Sequence, residues 1–364
     1  MPETRSSPLL ARRKWGGVAL SALLAGCLVA ACTETGTTTT AQPQDTSAFT
    51  PTTPATTSTT TTEPDELSEE LARTFDRIGE LGELRIVTAE VSSGSCQEIA
   101  RMEADQPAPI GSVVQIYVLA ALAEAVSAGG VDWDEPVVVE ERLKSVPPGS
   151  LQDRSEGDTV TVFEAAEMMT TQSDNTATDH LIDHLGRDEV SASMEPFGHT
   201  SGRLNTPLLN TRELAALKVG PASGLRIQWL QGDEESRRSI LDQISDITPE
   251  DVPVRDWLIP VDPDQLAWFA SPVDLCELAV GLIDLTDGDP RLASILEANG
   301  EPAGPWDRTW AKLGEEPGLL AVWFVTRTDG RTFVTAGSVV NPDSPIDEER
   351  ATHLFAEVRD ALAP

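Results

Sequence analysis

Apolar side chains recur at helical spacing where the folded part of the chain begins. Leu67, Leu71, Phe75 and Ile78 share one face, which predicts an amphipathic helix over Asp65–Leu81. Leu84–Val91 reads as a strand, Ser92–Ser95 as a turn, and Cys96–Met102 as its partner strand. Ser112–Ala128 is apolar nearly all round and stops at Gly129-Gly130, so it predicts a central helix with no solvent face. Mostly helical segments continue to about Asn299. Strand patterns then return at Arg308–Leu313, Leu319–Thr328 and Arg331–Val340, with Asp329-Gly330 as a hairpin turn. Leu354, Phe355, Val358 and Leu362 close the chain with an amphipathic helix. Strands at both ends with helices between them predict one antiparallel sheet shared by the two ends and a helical lobe from the middle. No solenoid-type repeat interrupts this pattern.

The first residues belong to a different kind of sequence. Arg5, Arg12, Arg13 and Lys14 precede an apolar run, Gly16–Ala31, that ends at a cysteine. Such a run is short for a membrane span and reads as an export signal over residues 1–32. It resembles a bacterial lipoprotein signal, in which a small residue precedes the lipidated cysteine. Two boxes fit, Leu24-Ala25-Gly26-Cys27 and Val29-Ala30-Ala31-Cys32. Cys32 is favoured, because the polar tail starts just after it and Cys27 would leave an apolar stub. A signal anchor or a cleaved signal without lipid is the alternative.

Residues 33–64 are dominated by threonine with proline and hold almost no large apolar side chain. Such a segment cannot offset the entropy of ordering and reads as a tether, long enough to hold a domain roughly 30 Å from its anchor. The domain itself, 65–364, has about 300 residues, which suits one two-lobed domain.

Net charge alters the choice of partners more than the choice of fold. At −34 the chain disfavours nucleic acid and anionic lipid surfaces. After the signal only Cys96 and Cys276 remain, and export makes them a candidate disulfide pair, although their separation in space is open at this level.

Three short motifs then follow in order. Ser112-Val113-Val114-Gln115 opens the buried helix, Ser173-Asp174-Asn175 opens a later helical stretch, and Lys312-Leu313-Gly314 lies on the first C-terminal strand. Each tripeptide alone is weak; order, spacing and context together are much stronger. With Tyr117-Val118-Leu119-Ala120-Ala121-Leu122 and Thr176-Ala177-Thr178-Asp179, the set resembles class A β-lactamases, penicillin-binding proteins and actinobacterial serine hydrolases. The resemblance spans nearly all of 65–364. It implies an α/β, β-lactamase/transpeptidase-like fold, with a cleft between the sheet and an all-helical lobe.

The resemblance also implies roles. Ser112 would be the nucleophile, acylated at the mouth of a helix. Its backbone N–H and that of Glu315 would form the oxyanion hole. Ser173 would relay a proton to the leaving nitrogen. Asn175 would hold the substrate amide, and Lys312 would face the substrate carboxylate and polarise Ser173. Gln115 and Gly314 would complete the set that contacts substrate. No cofactor or metal is expected. The expected partners are a small-molecule or peptidoglycan-derived substrate and the membrane through a lipid anchor. A monomer at the outer face of a bacterial cell membrane is expected.

Two departures touch the reaction itself. The family carries Ser-x-x-Lys where this chain carries Ser112-x-x-Gln115, and a carboxamide cannot take a proton from serine. The family also carries a deacylating glutamate after the second motif, whereas Gly202–Thr211 contains no acid. Glu195 lies too soon after Ser173 and reads as the end of a helix. Two readings follow: a slow or altered serine hydrolase acting on a β-lactam, cell-wall peptide or ester, and an inactive relative that binds a cell-wall peptide or protein.

Plainer readings stand beside these. Ser112 and Ser173-Asp174 could be helix caps, and Lys312 a solvated strand lysine. His180 and His184 sit at i, i+4, a metal-ligand spacing, but their aspartate neighbours predict a solvated face. The tryptophans read as core, with Trp306 or Trp310 near enough to Lys312 to line the cleft.

Overall fold

The computed structural model describes residues 64–300 and 304–364. The expected signal (1–32), with Cys27 and Cys32, and the tether as far as residue 63 lie outside them. In chain order the elements begin with α1 (Pro64–Gly79), β1 (Glu83–Ser92), β2 (Ser95–Met102), β3 (Ala108–Pro109) and α2 (Val114–Ser127). The middle holds β4 (Pro136–Val138), β5 (Thr159–Thr161), α3 (Val162–Thr171), α4 (Asn175–Leu185), α5 (Arg187–Ser193), α6 (Thr211–Lys218), α7 (Arg226–Gln231) and α8 (Glu234–Gln243). The last part holds β6 (Phe269–Ala270), α9 (Pro272–Thr286), α10 (Pro290–Ala298), β7 (Arg308–Glu316), β8 (Leu319–Thr328), β9 (Arg331–Val340) and α11 (Glu348–Ala361).

Both chain ends build one antiparallel sheet, in the order β2-β1-β9-β8-β7. Antiparallel sheets often leave one face wet. Here both faces are covered, which is why β8 is an almost unbroken apolar run, Leu319–Val325. Alternation sends Leu320, Val322 and Phe324 to a core with α1 and α11, where Leu71, Phe75, Leu354 and Phe355 are buried. Leu319, Ala321, Trp323 and Val325 face the core shared with the helical lobe. The expected amphipathic helices at the two ends are therefore one outer layer.

α2 runs through the centre of the second core. Every residue from Val114 to Ala123 is buried, and Gln115 is the one strongly polar side chain among them. The helix starts two residues later than expected. A single tight turn, Gly111–Val113, precedes it and carries Ser112. Cys96 on β2 and Cys276 on α9 are joined by a disulfide across this core, with Cα atoms 6.3 Å apart.

Between α5 and α9 the chain makes a long excursion that is pinned at its base. The Asn205 amide donates to Phe269 O at 2.9 Å and accepts from Phe269 N at 2.9 Å. One side chain thus replaces a strand pairing and brings the excursion back beside β3, which pairs with β6.

Candidate active site

Ser112 is set by two glycines. Gly111 holds φ +47, a left-handed conformation that glycine adopts freely. A side chain there would stand 3.0 Å from the Gly314 carbonyl carbon and 3.3 Å from Glu315 N. A side chain on Gly314 would in turn stand 2.8 Å from Ser112 N. The turn before α2 and the edge strand β7 therefore touch backbone to backbone, and the peptides of Ser112 and Glu315 lie side by side. Among the described residues Ser112 Oγ makes no hydrogen bond and caps no helix. It is half-buried.

The second motif divides its work. Asp174, not Ser173, caps α4: one carboxylate oxygen accepts from Ala177 N at 2.9 Å. The other accepts from Ser150 N at 2.6 Å and Leu151 N at 2.8 Å. Ser173 is left in the strained left-handed region at φ +54. Its hydroxyl donates to Gln115 Oε1 at 3.1 Å. The Gln115 amide nitrogen donates to Thr178 Oγ1 at 2.9 Å, and Thr178 donates to Asp174 O at 2.7 Å. The buried carboxamide is therefore satisfied at both ends, and its orientation is fixed by its partners.

β7 brings the third motif from the opposite wall. Alternation turns Lys312, Gly314 and Glu316 toward the helical lobe and leaves Leu313 and Glu315 on the other side of the strand. Lys312 is 3 % exposed. Its Nζ donates to Ser173 Oγ at 2.9 Å and to Thr170 O at 3.3 Å. Burial pushes its pKa down to about 7, with Glu315 pulling weakly the other way. Lys312 is not a solvated strand lysine, and its ammonium is turned to Ser173 rather than outward.

Ser112, Gln115, Ser173, Lys312, Gly314 and Glu315 are thus brought to one place. Asn175 joins them differently from its expected role. Its amide nitrogen donates to Val146 O at 3.0 Å and Pro147 O at 3.2 Å, leaving the amide oxygen as its uncommitted polar atom. Thr170, Thr178 and Asp174 belong to the same network and were not singled out from sequence; the cap signal of Asp174 was the available clue.

Several expectations are corrected. His180 is not on a solvated face: it is 1 % exposed. Its Nδ1–H donates to Thr176 O at 2.7 Å and its Nε2 accepts from Glu140 N at 3.0 Å. Burial lowers its pKa, consistent with a neutral imidazole. Among the described residues no cluster of three or more His, Cys, Asp and Glu side chains could hold a metal ion. Trp306 and Trp310 are both core residues rather than cleft lining. Trp310 stacks on Trp323 at 6.5 Å and Trp306 donates to Asp360 at 2.9 Å. Glu195 lies in a short turn after α5.

A second buried pair closes the far end of β7. Lys218, in the last turn of α6, binds Glu316 directly. Burial lowers the Lys218 pKa and raises that of Glu316, so each opposes the charge that holds the pair. This contact fastens the long excursion to the strand that carries the site.

Antiparallel sheet, helical lobe and serine-bearing turn between them define the β-lactamase/transpeptidase-like fold. The family model described as "Beta-lactamase enzyme family" matches residues 66–246. The chain belongs to this β-lactamase and penicillin-binding-protein-like family of serine hydrolases. Among solved structures it is similar to a β-lactamase from Sphaerobacter thermophilus, with 18% identity, 80% of this chain and 95% of that one covered, and a TM-score of 0.56. It is also similar to a mutant of PBP-A solved as an acyl-enzyme complex with penicillin G, at 20% identity, 82% and 95% coverage, and a TM-score of 0.56. An ancestral class A β-lactamase gives 22% identity, 81% and 98% coverage, and a TM-score of 0.54. No curated protein matches the sequence.

Proposed function

We propose that the protein is a serine hydrolase that forms an acyl-enzyme on Ser112 and uses Lys312, through Ser173, in place of the missing motif lysine. The observation that carries this reading is the 2.9 Å contact of Lys312 Nζ with Ser173 Oγ, made by an amine that burial holds near neutrality. When Lys312 is charged it donates to Ser173, and Ser173 donates to Gln115. When Lys312 is neutral its lone pair can take the Ser173 proton, and the Ser173 oxygen is free to accept one from Ser112. Ser112 and Ser173 both flank Gln115, the first at i−3 on the same helix face. In the reaction Ser112 Oγ bonds to the acyl carbon, the bond to the leaving group breaks, and the proton returns to that group through Ser173. The adjacent N–H groups of Ser112 and Glu315 support the developing oxyanion. Gly202–Thr211 supplies no acid for the deacylating water, so the acyl-enzyme persists. The substrate class is an ester, β-lactam or cell-wall peptide.

The rival reading, an inactive binder of cell-wall peptide, is favoured by Gln115 alone. A pure binder does not need a buried lysine of lowered pKa on Ser173. The signal and tether place the protein, in this proposal, on the outer face of a bacterial membrane through lipid on Cys32.

Intact mass spectrometry after incubation with an activated ester and with a penicillin, beside Ser112→Ala, tests the reading. An adduct in the native chain and none in the variant supports it. No adduct and no turnover with either compound sinks it and leaves the binder.

A further inference from the structure

Three features of β7 bear on which acyl donors can approach Ser112. The Glu315 peptide abuts the turn that carries Ser112, so the Glu315 side chain starts one bond from an oxyanion donor. That side chain is exposed, and burial at its root and the nearby Glu348 both raise its pKa. Leu313, two residues back on the same side of the strand, offers no donor and packs toward the core with α1 and α11. The cations that meet β7 on its other side are withdrawn: Lys312 is committed to Ser173 and Thr170 O, and Lys218 to Glu316. An acyl donor lying along this edge therefore meets an uncompensated carboxylate and an apolar side chain.

Resting on the serine-hydrolase reading, we infer that Glu315 makes the site select by charge, accepting neutral or cationic acyl donors and rejecting those with a carboxylate next to the reacting carbonyl. An electrostatic gate of this kind acts on the approach and positioning of the substrate and leaves the bond changes at Ser112 as described. It would make the protein a poor acceptor of carboxylate-bearing penicillins and a better one of uncharged esters or of amides with a basic group.

The test uses the whole chain and three p-nitrophenyl esters of matched length: butyrate, hemisuccinate and a trimethylammonio-butyrate. Acylation is read by intact mass and nitrophenol release, each rate is divided by that ester's hydroxide-catalysed rate, and Ser112→Ala is subtracted as blank. The native chain should react with the anionic ester about tenfold more slowly than with the neutral one. Glu315→Gln should raise the anionic-to-neutral ratio about tenfold, and raising salt from about 0.02 to about 0.5 M should shrink the native discrimination. A ratio unchanged by both Glu315→Gln and salt overturns the charge rule while leaving Ser112 a live nucleophile. No adduct from any ester removes the hydrolase reading and the charge rule together, a pattern that the first failure cannot produce.

Discussion

Gln115 Oε1 accepts the Ser173 hydroxyl at 3.1 Å, and this contact sets the direction of the hydrogen-bond chain in the site. The chain runs from Lys312 to Ser173, to Gln115, to Thr178 and to the Asp174 carbonyl. A carboxamide can pass on polarity in this arrangement but cannot hold a proton.

Placing an amine at this position should restore a base beside Ser112. Gln115→Lys is expected to raise the Ser112-dependent acylation rate about 10²-fold, the lower end of what a positioned general base contributes. It should also lower the thermal midpoint, because two buried amines would then face Ser173 and Thr178 would lose its donor. Single-turnover release from an activated ester measures the first effect and calorimetry the second. No gain in rate would mean that Lys312 already meets the need for a base.

Acylation should depend on the charge of Lys312. Only the neutral amine can accept the Ser173 proton, so the rate should rise with pH through about 7 and level off above it. Stability should move in the same direction. The folded-state pKa is below the unfolded value, so between about 7 and the ordinary lysine range the unfolded chain binds more protons, and stability rises with pH. Lys312→Met should remove both the acylation step and this contribution to the slope. A pH–rate profile with no inflection between about 6 and 8 would assign the base elsewhere.

The order of the three motifs was readable because each is a local run of residues with its own turn or cap signal. Their meeting was not, since Ser173 and Lys312 are 139 residues apart and their contact depends on the register of an edge strand. The outward-facing reading of Lys312 failed for the same reason: alternation along β7 turns it toward the lobe, and a single strand does not reveal which side will be covered. His180 misled through its aspartate neighbours. Asp179 is itself buried, satisfied by the start of α6, so a polar neighbour was no sign of solvent. Gln115 showed as an oddity in an apolar helix, but its partners on α4 and before it lie 63 and 58 residues away.

The Lys218–Glu316 pair joins residues 98 apart and holds the excursion against β7. Removing one partner should be worse than removing both. Lys218→Met alone leaves a buried carboxylate without its cation and should cost about 3–5 kcal/mol, whereas Lys218→Met with Glu316→Gln should recover most of that loss. Denaturant midpoints of the two single variants and the double variant close the cycle. Additive losses would show that the two side chains do not act as a pair.

Asp179 carries the clearest pH signature in the scaffold around the site. Its carboxyl sits under the start of α6 and accepts from Thr211 N and Oγ1 at 2.8 and 2.7 Å and from Arg212 N at 3.2 Å. Burial pushes its pKa up to about 7 against those three donors. A carboxyl raised in the folded state binds protons there that the unfolded chain has already released. Its contribution is therefore complete below the unfolded value near 3.8 and is lost as pH rises through about 7, with a slope of up to ~1.4 kcal/mol per pH unit. Asp179→Asn keeps the shape and an acceptor but does not titrate, so it should flatten this part of the stability curve between about pH 4 and 7. Urea midpoints across that range, native against variant, decide the matter. An unchanged slope would show that the three donors hold the carboxylate ionised and that burial does not dominate.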